Sequence, residues 1–274
     1  MKLAHLLLHE ADLQSQALAA MPAAFAANIL KSALARRADC YITNHPPSQQ
    51  LIACAKLIAF RAEPVLITGP SGTGKEMIAR MMLGNRSDAA FFPVNCAGLV
   101  DTLFESLLFG HKRGSFTGAA SDKPGILVTA RDGVVFFDEI GELPLNQQAK
   151  LLRVIQEKRV LPVGHDHEVP IMCRFVFATN RNLQVEVADH RFREDLYYRI
   201  SAITLSTYPL SARPDDAILI ADHITTDDDE PVTHVPDAII NSGGNVRALE
   251  NWIIQRRVFG VGADGINPAI GDNC

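Results

Sequence analysis

The chain has 274 residues, 47% of them hydrophobic, and a formal net charge of −5, enough for one large domain, or a domain with a small appendage, around a real core. The negative balance gives no general basic field for nucleic acid, and no run of about 18 apolar residues is present to cross a membrane. Five cysteines, at 40, 54, 96, 173 and 274, lack the paired spacing of a disulfide framework or a zinc site, and His5, His9, Glu10 and Asp12 interrupt any secretory h-region, so a cytoplasmic protein is expected.

Residues 1–40 are rich in Ala and Leu with helical spacing at Leu3, Leu6, Leu7, Leu30 and Leu34, broken at Pro22, and read as a helical segment without an assigned role. From 41 to 208, short apolar runs alternate with helical patterns: "PVLITG" (64–69), "AFFPVN" (90–95), "GVVFFDE" (133–139) and "CRFVFATN" (173–180). Continuous apolar strands separated by helices indicate an α/β fold, with a parallel sheet covered by helices on both faces. Residues 209–274 turn helical and polar, and the acidic run Asp227 to Glu230 reads as a solvated loop.

The strongest chemical signal is "GPSGTGKE": Gly69, Pro70, Ser71, Gly72, Thr73, Gly74, Lys75 and Glu76, directly after the strand "VLIT" and before the helical "MIARMML". This is the strand–loop–helix setting of a phosphate-binding loop, in which backbone N–H groups crowd a phosphate and Lys75 reaches the β- and γ-phosphates. Glu76 stands where the general motif has a Ser or Thr ligand for magnesium, so the metal must lean on other groups. Asp138 and Glu139, ending the strand "VVFFDE", supply them: Asp138 to hold magnesium and Glu139 to polarise the water that attacks the γ-phosphate of ATP. Asn180, closing "FVFATN", is placed to align the same water. "HDH" at 165–167 lacks partners for a metal and reads as solvated. The polar stretch "GHKRGSFTGAA" (110–120) carries a lone aromatic, and by itself reads as a turn whose Phe116 folds back onto the core.

"GPSGTGKE", "GHKRGSFTGA", "GVVFFDEI", "LLRVIQE", "FATNRNL", "FREDLYYRI" and "GNVRALEN" occur in the order seen in bacterial enhancer-binding proteins, the AAA+ activators of sigma-54 RNA polymerase. The chain resembles the central domain of that family over residues 41 to about 265. The resemblance implies an AAA+ P-loop NTPase with its α/β nucleotide-binding domain at 41–208 and a small α-helical lid at 209–274. It implies a homo-oligomeric ring, with six subunits as the expected number, that hydrolyses ATP with magnesium to remodel sigma-54 RNA polymerase holoenzyme for open-complex formation.

Residue by residue, it implies that Gly114, Ser115, Phe116, Thr117, Gly118 and Ala119 form a surface loop in which Phe116 and Thr117 grip sigma-54. Asn95 would restrain Glu139 until the target engages. Arg193 and Arg199 would reach the neighbouring subunit's nucleotide, six positions apart and so on different helix faces, and Arg247 would sense the nucleotide from within its own subunit. In this family a Glu is normal after the loop lysine, so Glu76 is expected. The chain departs from the family pattern at Leu107, Lys112, Pro162, Ser242 and Gly243, positions bearing on the loop's charge contacts and on lid packing. It ends at Cys274, where the family usually continues into a helix-turn-helix domain, so DNA binding is expected to be indirect or through such a domain. Two other readings stay open: an AAA+ machine for another protein target, and a regulatory subunit that binds ATP but hydrolyses it weakly.

Overall fold

The computed structural model describes residues 41–84, 90–98, 101–116, 119–225 and 232–259. The expected helical segment at 1–40, loop residues Thr117 and Gly118, and the acidic run at 227–230 lie outside them.

The four apolar runs form strands β1 (Val65–Thr68), β2 (Phe91–Asn95), β5 (Val134–Asp138) and β8 (Arg174–Thr179). A further strand, β9 (Ile203–Ser206), joins them in one parallel sheet of order β2-β5-β8-β1-β9. Two short antiparallel pairs lie outside it: β3 (Gly110–His111) with β4 (Lys123–Pro124), and β6 (Arg159–Val160) with β7 (Val169–Pro170). β9 escapes sequence reading because it is an edge strand of four residues in which Leu205 alone is buried.

Successive strand residues serve opposite faces. Leu66, Val135, Phe137, Phe175 and Phe177 enter one apolar cluster, while Val65, Ile67, Val134, Phe136, Val176 and Ala178 enter another. Helices Asp101–Phe109, Leu145–Glu157 and Glu194–Ile200 cover the first face through Phe104, Leu108, Leu151, Ile155, Leu196 and Ile200. Helices Pro46–Ile58 and Lys75–Met81 cover the second through Leu51, Ala55, Ile78 and Ala79. Burial on both faces is why the strands read as unbroken apolar runs. The last three helices, Asp216–Ile224, Asp237–Ile240 and Val246–Phe259, enclose a third cluster around Ala217, Ile220, Leu249, Trp252 and Ile253.

Phe137 is fully buried, with the Phe177 ring stacked at 5.2 Å and the Phe175 ring at 6.2 Å. Phe137→Ala leaves a cavity between strand and helices and should cost about 3–5 kcal/mol of unfolding free energy in a urea titration.

Candidate functional site

In an open parallel sheet, ligands collect at the carboxyl ends of the strands. Here the ends of adjacent β5, β8 and β1 carry Asp138, Thr179 and Thr68, and each runs directly into sequence-predicted site residues.

From β1 the chain enters the loop 69–74, which backbone approach confines to glycine at two points. Gly69 has φ +145°, and a Cβ there would lie 2.1 Å from Thr207 Oγ1. Gly72 has φ +72°, and its Cβ would lie 2.2 Å from the carbonyl oxygen of Gly244. Thr73 pins the loop from inside, its hydroxyl 2.6 Å from that of Thr207 and donating to the Pro70 carbonyl at 2.8 Å. Lys75 folds back over the loop and is buried, its Nζ donating to the carbonyl oxygens of Gly69 at 3.0 Å and Pro70 at 3.2 Å. Burial pushes the Lys75 pKa down, while Glu139 and Asp138 pull it up and Arg247 adds to the lowering. A phosphate fits this donor set: a cradle in which Gly69 and Gly72 leave no room for a Cβ, capped by an ammonium that finds oxygen acceptors.

Glu139 stands opposite, in the left-handed region at φ 52°, ψ 48°. A non-glycine residue pays about 1–3 kcal/mol for such a backbone, a cost that recurs at functional sites. The turn carries its carboxylate toward the end of β8, where Oε2 accepts the N–H of Asn180 at 3.4 Å. Asp138 Oδ1 accepts the N–H of Glu139 at 3.0 Å. Asn180 borders a cavity with Thr68, Gly69 and Arg181. Asn95 is the register partner of Asp138, but its Oδ1 accepts the N–H of Ala97 at 2.9 Å, and no hydrogen bond joins it to Glu139 among the described residues. Asn95 therefore stands at the strand end beside Asp138, with its side-chain oxygen on the local backbone.

Glu76 is also set apart from the cradle: its carboxylate pairs with Arg80 one helical turn on, at 2.9 Å, and is half exposed. No group of three or more His, Cys, Asp or Glu side chains able to hold a metal occurs among the described residues, and His165, Asp166 and His167 are exposed. A magnesium ion here would rest on Asp138 and on phosphate oxygens, the usual mode for this small, hard cation.

The C-terminal helices close on the cradle directly. Arg247 donates to Ser71 Oγ at 3.0 Å, and the N–H of Val246 donates to the Gly72 carbonyl at 3.1 Å. Sequence reading missed Asn245, which is buried with φ 52° and donates to the Ser71 carbonyl at 2.9 Å while accepting the N–H of Leu210 at 2.7 Å. It also missed Arg213, buried in an ion pair with Asp216 at 3.3 Å and reaching the Thr73 carbonyl at 3.4 Å. The signal available was the type of residue: an Asn able to adopt a left-handed backbone within "GNVR", and an Arg three positions before an Asp on an apolar helix.

Arg193 and Arg199 stand apart from this cluster. Both are exposed, and the charges acting on Lys75 are Glu139, Asp138 and Arg247, with neither of these arginines among them. Arg193 forms a two-pronged pair with Asp195, at 3.0 and 2.7 Å, and its backbone N–H donates to Gln148 Oε1 at 2.8 Å. Arg199 lies near enough to Lys158 to help depress that lysine's pKa, after burial as the main cause.

The stretch 110–116 is clasped by backbone bonds. Lys112 N–H donates to the Val163 carbonyl and Val163 N–H to that of Gly110, both at 2.9 Å, and Gly114 N–H reaches the Ala119 carbonyl at 2.9 Å. Lys112, Arg113 and Gly114 are exposed, Ser115 and Phe116 half-buried, and Ala119 buried. The Phe116 ring meets the edge of His111 at 4.9 Å, and His111 Nδ1 is 2.8 Å from Ser106 Oγ. The ring lies on a buried histidine and does not enter the sheet's apolar clusters. Ala119 holds the base of the loop and does not present a surface.

The model of the family described as the Sigma-54 interaction domain matches residues 41–206. The chain is similar to the sigma54-dependent transcriptional activator SfnR of Pseudomonas putida, at 39% identity over 229 residues covering 79% of this chain and 63% of that protein. It is similar to the response regulator FleR of Pseudomonas aeruginosa at 40% over 243 residues, 84% of this chain and 51% of that protein. Among solved structures, NtrX from Brucella abortus in complex with ATP superposes with a TM-score of 0.69 at 28% identity, covering 83% of this chain and 54% of that one. The chain therefore spans between half and two thirds of the length of these relatives.

Proposed function

The chain belongs to the sigma-54 interaction domain family of AAA+ proteins, and from that membership we propose that it binds ATP with magnesium and hydrolyses it between subunits of a homo-oligomeric ring. In this reading the ring is hexameric and cytoplasmic, and it remodels sigma-54 RNA polymerase holoenzyme toward the open complex. Residues 41–208 form the nucleotide-binding domain and 209–274 the lid. The observation that carries the reading is that Lys75, at the start of the helix after the loop from β1, lies within electrostatic reach of Asp138 and Glu139 at the end of β5, with two exposed arginines held elsewhere on the subunit.

When bound, ATP would supply the reactive phosphoryl group, and magnesium on Asp138 would supply charge neutralisation at the phosphates. Residues 69–74 present N–H groups to the phosphates, and Lys75 exchanges its carbonyl partners Gly69 and Pro70 for phosphate oxygens. Asp138 holds the metal. Glu139, carried toward Asn180 by its turned backbone, takes up a proton from water. Arg247, already on Ser71, reports the cradle's state to the lid. Arg193 and Arg199 complete the site of the adjacent subunit. The bonds from Asn245, Val246 and Arg247 to Ser71 and Gly72 exist despite Ser242 and Gly243, which favours the hydrolysing reading over a weakly active regulatory subunit.

The loop around Phe116 supplies the grip. Capture of sigma-54 in the presence of ATP transition-state analogue tests this directly. Phe116→Ala should weaken capture by about 2 kcal/mol or more, the scale of an aromatic hot spot. It should shift unfolding by only about 1 kcal/mol, the worth of one aromatic edge contact. Basal turnover should hold, since the loop's bonds run to Val163 and His111 and not to the phosphate cradle. Marked destabilisation with capture intact per folded molecule would end the gripping-loop reading.

A further inference from the structure

Gln148, on helix Leu145–Glu157, has no exposed surface, and a buried primary amide is costly unless its polar atoms are used. Its Nε2 donates to the carbonyl oxygens of Leu143 at 2.7 Å and Arg191 at 3.1 Å, and its Oε1 accepts the N–H of Arg193 at 2.8 Å. Leu143 closes the short turn that begins at Glu139, its N–H bonded to the Ile140 carbonyl. Arg193 is the extended residue, at φ −74°, ψ 132°, from which helix Glu194–Ile200 departs. One side chain therefore braces the segment leaving the catalytic carboxylates against the turn from which Arg193 emerges, 45 residues later in the chain.

The brace acts on backbone, and backbone sets where a guanidinium can reach. Arg193's own head rests on Asp195 in an exposed pair that solvent screens, so it can be given up to another acceptor. The N–H of Arg193, by contrast, sits on the amide oxygen of a fully buried side chain. Around it Glu186 holds Arg191 at 2.8 and 3.0 Å, which fixes the preceding residues of the same turn. A neutral amide provides this anchorage without placing a competing charge beside the arginine.

We infer that Gln148 is a positioning residue for Arg193: by holding that residue's backbone it sets the direction in which the guanidinium is presented to the neighbouring subunit. A subunit altered at Gln148 is then a poor donor of Arg193 but keeps a competent nucleotide site of its own. This rests on the shared-site reading given above.

Gln148→Leu removes all three bonds at similar volume. Hydrogen exchange at the Arg193 amide should rise, ATP affinity should stay within about twofold, and turnover should fall about 10- to 100-fold, as misplaced catalytic groups do. Mixing separates donor from acceptor. Gln148→Leu protein combined with Lys75→Ala protein, which keeps Arg193 but lacks the ammonium, should regain turnover; combined with Arg193→Ala protein it should not. Arg193→Ala mixed with Lys75→Ala is the control. If that control fails to regain turnover, the shared site falls and this inference with it. If it succeeds while Gln148→Leu is not rescued by Lys75→Ala, Gln148 alone is misassigned. Gln148→Met is the second variant, and loss of ATP binding in both would assign Gln148 to its own subunit's nucleotide site and overturn the donor role.

Discussion

Arg193→Ala should lower ATP turnover by about 10³- to 10⁵-fold while leaving ATP binding in place, the range associated with an arginine supplied from a neighbour. At 1.36 kcal/mol per tenfold, this is about 4–7 kcal/mol of transition-state stabilisation. The structure holds the guanidinium on Asp195 in an exposed pair, and pairs of that kind contribute about 0–1 kcal/mol. The Asp195 pair is therefore a weak competitor for the guanidinium. Arg199→Ala belongs to the same class. Binding of a fluorescent ATP analogue, measured beside steady-state turnover, checks both halves of the expectation; loss of binding would instead place Arg193 in support of its own subunit's fold.

The second large effect is at Glu139. Glu139→Gln keeps the shape of the side chain and removes the base, so turnover should fall about 10²- to 10⁴-fold, while ATP and magnesium remain bound. The left-handed backbone at this position tolerates the exchange because only the terminal atom changes. Lys75→Ala should do the opposite, losing ATP affinity itself, because its buried ammonium lies on the Gly69 and Pro70 carbonyls of the cradle. Equilibrium binding and single-turnover hydrolysis on the two variants separate chemistry from binding. Normal hydrolysis by Glu139→Gln would mean that the wrong carboxylate has been assigned.

Much of this was readable before the fold. The four apolar runs became four strands because burial on both faces leaves an unbroken apolar signature, and the positions of the glycine-rich loop 69–74 and of Asp138 and Glu139 after strand ends were legible in the same way. The roles of Arg193, Arg199, Arg247 and Phe116 were implied by resemblance, since exposed arginines and one loop aromatic carry no periodic signal of their own. Apart from Arg213, paired with Asp216 three positions on, what stayed hidden is held by long-range neutral hydrogen bonds. Gln148 meets residues 43 and 45 positions away, and Asn245 meets Ser71 across 174; neither contact leaves a charge pattern or a spacing. The side-chain contact of Asn95 is local: an Asn at a strand end accepts the N–H two residues on, that of Ala97. Phe116 was partly legible, because a lone aromatic in a polar loop must cover itself, but its partner His111 lies in the same non-periodic stretch.

Specific ATPase activity across a dilution series, with assembly state followed in parallel by sedimentation, tests the shared site most directly. If Arg193 and Arg199 come from the adjacent subunit, turnover per mole of chain rises with concentration and collapses where the protein sediments as a monomer. A dilute monomer that retains full specific activity would contradict the account.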